Sequence, residues 1–82
     1  MKIADVNLSL IGKRCKGMFT GMLVDGTITD VKENQYTVEV HFYFDEPHQW
    51  GNDSFNKERA WARKIDEFGS LKYLELLEDN NS

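Results

Sequence analysis

Tyr36-Thr37-Val38-Glu39-Val40-His41-Phe42-Tyr43-Phe44 is the stretch on which the fold turns. Tyr36, Val38, Val40, Phe42 and Phe44 fall on one side of a period-two alternation, and Thr37, Glu39, His41 and Tyr43 fall on the other. β-Branched and aromatic types dominate, as suits a pleated, half-buried surface. The stretch predicts a long strand whose apolar face is the centre of a core. Asp45-Glu46 is expected to stop it, with Pro47, the single proline, beyond the ladder.

Upstream, Leu23 to Val31 reads as a second strand leading into the tip Lys32-Glu33-Asn34-Gln35, where Asn34 tolerates a left-handed backbone. Asp25-Gly26 is a rival turn signal. Placing Gly26 inside the strand is preferred, because Thr27 to Val31 then pairs with Tyr36 onward. Lys13 to Phe19 reads as a shorter strand between Gly12 and Thr20-Gly21. Ile3 to Ile11 admits two readings. Ala4, Val6, Leu8 and Leu10 alternate as in a strand, while Asn7 suits the cap of a helical turn ending at Gly12.

Downstream, Ser54 to Phe68 also admits two readings. As a helix, Trp61, Ile65 and Phe68 are spaced i, i+4, i+7 and Gly69 suits a C-terminal cap. As a strand, Arg59, Trp61, Arg63 and Ile65 share a face opposite Ala60, Ala62 and Lys64. Asp66 to Ser70 then becomes a hairpin loop into Leu71–Leu76. The meander of short strands around it favours the strand. The expected fold class is all-β, a small barrel of about five antiparallel strands over residues 1–77. The alternative is α+β with a helix at about 56–68. Residues 78–82 read as a solvated acidic and polar tail.

The 82 residues suffice for one core only. The formal charge of −4, from 14 acids and 10 bases, sets the chain at a disadvantage against duplex nucleic acid. A lone cysteine, Cys15, allows no intrachain disulfide and suits a reducing compartment. No apolar run approaches the ~20 residues a bilayer requires, and the first residues lack a signal peptide's apolar core. The expectation is a cytoplasmic protein with no membrane role, monomeric or weakly dimeric.

Three segments carry a resemblance: Gly12-Lys13-Arg14-Cys15, then Asp25-Gly26-Thr27-Ile28-Thr29-Asp30-Val31, then Tyr36 to Phe42. Together they resemble the opening of an SH3-like small barrel of the Tudor or KOW kind. There a first strand leads through a loop to a Gly-x-Ile-x-x-Val strand, which a tight hairpin joins to a long alternating strand. The resemblance covers about Gly12 to Phe44 and implies a topology. Tudor domains that read methylated side chains use aromatics on two loops. Here the loop from Thr20 to Val24 has none, and only Trp50 and Phe55 remain as half a cage.

The segment from Asp45 to Phe55 is longer than a plain hairpin needs, and binding residues concentrate on such loops. Tyr43, His48, Trp50 and Phe55 are the candidate partner-binding residues, forming an acid-rimmed aromatic groove for a basic or aromatic-poor peptide. The plainer alternative folds Trp50 back over one end of the barrel. A second candidate is the stripe Arg59, Trp61 and Arg63, extended by Lys13, Arg14 and Lys16. It could stack a base and hold phosphates. In the plainer alternative Trp61 is core and the arginines pair with Glu39, Glu58 or Glu75.

Chemistry finds little purchase. His41, His48, Cys15, Asp45 and Glu46 supply metal-ligand types without paired spacing. Arg14 and Lys16 could lower the Cys15 pKa, but no base adjoins it. No phosphate-binding glycine fingerprint occurs. The expectation is a non-enzyme without cofactor or metal. A protein- or peptide-binding module leads, with a nucleic-acid-binding barrel and a self-associating structural accessory as alternatives.

Overall fold

In a computed structural model, which describes residues 1–65, 71 and 73–77, the alternating stretch forms a strand longer than its pattern. Five strands are present among the described residues: β1 (Arg14–Phe19), β2 (Met22–Glu33), β3 (Thr37–Trp50), β4 (Asp53–Arg63) and β5 (Leu74–Leu76). They form one antiparallel sheet in the order β4-β3-β2-β1-β5. The all-β expectation holds. Residues 56–63 lie on β4, so the helix alternative fails there, and its remainder at 66–68 is outside the described residues.

The sheet curls on itself. Phe19 of β1 packs against Phe55 of β4, ring centroids 5.3 Å apart, although two strands separate them in the sheet order. The concave side holds Cys15, Phe19, Val24, Ile28, Val38, Val40, Phe42, Phe44, Ala60 and Ala62, joined by Leu10, Leu71 and Leu74. Phe42 fills the middle, in space left by two glycines. A Cβ on Gly17 would run into the Phe42 ring, and one on Gly26 would run into the Tyr43 carbonyl oxygen.

A one-residue bulge explains the Gly-x-Ile-x-x-Val spacing. Ile28 faces Phe42 and Asp30 faces His41, so Thr29 has no counterpart in β3. The extra residue reverses the parity of β2. Ile28 and Val31, three apart, therefore both turn inward, and Val31 lies opposite Val40. Without the bulge one of them would point to solvent.

The connections refine the sequence reading. Gly26 sits within the paired part of β2, as preferred. The β1–β2 connection is the two-residue turn Thr20-Gly21, both at positive φ, so no loop extends to Val24. At the β2–β3 tip the Asn34 side chain accepts the amides of Tyr36 (2.7 Å) and Thr37 (2.9 Å). That turn leaves Tyr36 exposed, outside the apolar face to which the alternation assigned it. For Ile3–Ile11 the capped-turn reading prevails: two 3-10 turns, Ile3–Asp5 and Leu8–Leu10, with Asn7 Oδ1 accepting Ser9 N–H at 2.9 Å. The strand expected over Leu71–Leu76 is shorter, because Tyr73 has φ +52 and pairing spans only Leu74–Leu76. The hairpin loop expected at 66–70 and the tail at 78–82 lie outside the described residues.

Candidate functional site

The acids and Pro47 do not end β3. The strand breaks register between Tyr43 and His48, leaving Phe44 to Pro47 without counterparts in β4, and then resumes. The lone proline falls inside this irregularity, where a missing N–H costs no ladder bond. Pairing then continues through His48↔Phe55, Gln49↔Ser54 and Trp50↔Asp53 to a turn at Gly51-Asn52. The segment predicted as a loop is thus a two-stranded arm, since β2 leaves β3 at Gly26↔Phe44.

Directly opposed residues of an antiparallel pair share a face, as do residues two apart. His48, Phe55, Trp50 and Asp53 therefore lie on one face of the arm. It continues the concave side of the sheet: His48 is 5.6 Å from Phe44 and 6.2 Å from Phe19, centroid to centroid. The face looks toward the tip of the β1–β2 hairpin, where Met22 lies opposite Phe19. Trp50 is 56% exposed, Met22 43% and Phe55 37%. At the two hairpin ends Met22, Trp50 and Phe55 thus stand partly open beside the buried Phe19 and Phe44, an apolar patch with an aromatic base. Trp50 is too exposed to seal an end of the sheet as a packed cover.

A polar groove of about 400 Å³ reaches this patch at His48, lined by Lys16, Leu23, Val24, Asp25, Asp45, Glu46 and His48. Its charges are largely matched. Arg14 donates to both carboxylate oxygens of Asp45 and to Thr27 Oγ1, and Lys16 Nζ lies 3.8 Å from Asp25. The Arg14 hydrogen bond holds the Asp45 carboxyl below its usual range. Glu46 and Asp53 have no ion-pair partner among the described residues.

Tyr43 does not join this group. It lies opposite Lys57 on the convex face and lines another groove, of about 430 Å³, with Asp30, His41, Lys57 and Arg59. The enclosed His41 Nε2 makes no hydrogen bond among the described residues, and Glu39 Oε2 stands 3.5 Å away.

Arg59, Trp61 and Arg63 do share the convex face of β4, as the strand reading implied, with Ala60 and Ala62 buried behind them. Trp61 is 47% exposed, so the alternative that made it core is corrected. Arg59 pairs with Glu39 at 2.5 Å, whereas Arg63 has no ion pair among the described residues. The proposed extension does not form. Lys13 precedes β1, Arg14 and Lys16 lie on it, and two strands separate them from β4.

Cys15 is buried on the concave side, and burial pushes its thiol up to about 11 against the opposing field of Arg14. The flanking Arg14 is legible in the sequence, whereas the burial that outweighs it is not. No group of three or more His, Cys, Asp or Glu able to hold a metal occurs among the described residues. What the sequence missed was the arm itself and the Arg14–Asp45 pair, which joins residues 31 apart. Periodicity resuming at His48 and Trp50 after Pro47 was the available signal.

A family model described as a domain of unknown function, DUF7258, matches residues 1–76. The chain belongs to the DUF7258 family. No curated protein and no solved structure matches this DUF7258 domain.

Proposed function

We propose that this DUF7258 domain is a protein-binding module whose apolar patch, at the β3–β4 arm and the β1–β2 tip, receives a short peptide segment. One observation carries the reading. Trp50 and Phe55 stand partly open on a face whose other aromatics, Phe19 and Phe44, are buried. Partly desolvated aromatic anchors beside a packed floor are the usual energetic centre of a protein interface. Glu46 and Asp53 flank the patch, so the expected ligand presents an apolar side chain next to Lys or Arg. The resemblance to SH3-like barrels supports a binding role. The Gly26-x-Ile28-x-x-Val31 strand and its tight hairpin into β3 lie within a curled five-stranded antiparallel sheet.

The test is selection from a random displayed-peptide library, followed by calorimetry of the enriched sequences against wild type, Trp50→Ala and Phe55→Ala. Enriched peptides rich in an apolar residue beside a basic one, losing at least about tenfold in affinity on either substitution, are the expected result. Peptides that bind Trp50→Ala and wild type alike would overturn the assignment of the patch.

A second reading keeps one specific support: Trp61 lies exposed between Arg59 and Arg63, an arrangement able to stack a base between cations. It predicts oligonucleotide binding that weakens steeply with salt and is lost in the Arg59→Glu/Arg63→Glu double variant.

A further inference from the structure

The free edge of β4 points to a second site, distinct from the apolar patch and independent of it. In an antiparallel ladder, backbone groups alternate between facing the partner strand and facing away. The Lys64 amide donates to the Tyr36 carbonyl at 2.8 Å. With Thr37 opposite Arg63 and Val38 opposite Ala62, that bond sets the phase. Glu58, Ala60 and Ala62 direct their backbone groups to β3, while Lys57, Arg59, Trp61 and Arg63 direct theirs outward. β4 is a terminal strand of the sheet, so this outward edge bonds to no further strand among the described residues.

The phase is corroborated independently. The Arg59 amide, assigned to the free edge, donates to Glu58 Oε1 of its own strand at 2.8 Å. One outward amide is therefore blocked by a side chain, a common way of protecting an edge. The amides of Trp61 and Arg63 have no such cover among the described residues.

The side chains of the same residues choose the partner. Lys57, Arg59, Trp61 and Arg63 form a cationic row with one aromatic on the convex face. Residues 57–64 hold four of the ten basic residues of an acidic chain. Arg59 is matched by Glu39 and Lys64 by Glu33, which leaves Lys57 and Arg63 unmatched among the described residues. A second copy pairing antiparallel through its own β4 about Trp61 would set Arg59 against Arg63 twice, and like charges directly opposed destabilise a sheet.

We infer that the β4 edge accepts an extended acidic segment of another protein as an added strand. Acids at alternate positions lie beside Arg59 and Arg63, with an apolar residue between them beside Trp61. Backbone hydrogen bonds at Trp61 and Arg63 supply attachment, and the alternating side chains supply selection. A nucleic acid could meet the cations and stack on Trp61, but it offers no peptide backbone in strand register. The uncovered Trp61 and Arg63 amides are what favour the peptide.

The test uses a nine-residue peptide with Thr and Glu alternating, and Ile in place of the central Glu. Its binding is followed by fluorescence polarisation and by amide-resolved NMR of the full chain. Two controls accompany it: the same peptide N-methylated at alternate residues, in both phases, and a single-stranded oligonucleotide of equal charge. The expected results are binding with shifts at Trp61 and Arg63, and loss of binding in one N-methyl phase only. Arg63→Glu, at an exposed position, should weaken binding at least about tenfold. Trp50→Ala should leave it unchanged, which separates this site from the apolar patch. Equal binding of both N-methylated peptides, tighter binding of the oligonucleotide, or no binding at all would overturn the inference. So would a concentration-dependent increase in mass that the peptide does not reverse, which would make the occupant a second copy.

Discussion

The two halves of β3 belong to one strand and live under different rules. Thr37–Phe44 lies between β2 and β4, and its Val38, Val40, Phe42 and Phe44 are buried. Asp45–Trp50 pairs with β4 alone among the described residues, and only His48 in it is even partly buried. Both halves carry aromatics. What differs is the number of strands beside them, and with it the surface each aromatic can hide. In the first half an aromatic stabilises the fold. In the second it is left available to something else.

The largest expected effect would break this comparison if absent. Gly26→Ala places a Cβ against the Tyr43 carbonyl, a backbone atom that cannot rotate aside. It should cost several kcal/mol, on the scale of the ~3–5 kcal/mol expected for Phe42→Ala. Urea unfolding should show either variant largely unfolded where the wild type is native. A wild-type midpoint for Gly26→Ala would mean β2 and β3 do not approach so closely.

Next comes the arm. Trp50→Ala should move the unfolding midpoint by no more than about 0.5 kcal/mol, as for an exposed side chain without a packing role. Amide exchange should be faster at Gln49–Asp53 than at Val38–Phe42 by orders of magnitude. A Trp50→Ala cost near that of Phe42→Ala would place the arm in the core.

A smaller effect with the opposite sign is expected at the other side of the apolar patch. Thr20 holds φ +48 in a two-residue turn, where a β-branched residue is strained. Thr20→Asn should stabilise by about 0.5–1 kcal/mol in the same urea measurement. A loss would mean the threonine side chain serves the turn in some other way.

The smallest concerns pH. The folded-state pKa of Asp45 is lowered by Arg14, so its contribution is present above the ordinary carboxylate range and lost as pH falls through the folded value. Asp45→Asn should lower the neutral plateau slightly, leave stability at low pH nearly unchanged, and so shallow the acid limb of the profile. Cys15 acts with opposite sign. Its raised pKa makes stability fall as pH climbs from the ordinary thiol range toward about 11, and Cys15→Ser should flatten that alkaline limb.

The sequence was most readable where a residue's role depends on its own strand. The alternation at Val38–Phe44 and the inward Ala60 and Ala62 follow from period two alone, and the pairing of Thr27–Val31 with β3 already implies Gly26 inside β2. The sequence misled where a partner decides. Asp45-Glu46-Pro47 reads locally as a stop, yet β4 returns alongside and pairing resumes at His48. Tyr36 has the right parity but sits where Asn34 captures its amide. Tyr43 and Trp50 are near in sequence, yet they stand seven residues apart on one strand, an odd spacing that puts them on opposite faces. The basic residues of β1 and β4 looked like one patch only while strand order was unknown.

The last strand lies beside the first, with a consequence for how the molecule assembles. β1 to β4 are joined through adjacent hairpins, so each can zip from its own turn with little chain entropy lost. β5 instead meets Cys15, Lys16 and Gly17 of β1 through a short ladder of three pairs, extended by the Leu77 amide donating to the Arg14 carbonyl. Its docking is expected to come late in folding and to be first undone on warming. The chain should therefore pass briefly through a four-stranded form whose β1 edge is bare. In that interval aggregation competes with completion, and refolding yield should fall with protein concentration sooner than equilibrium stability would suggest.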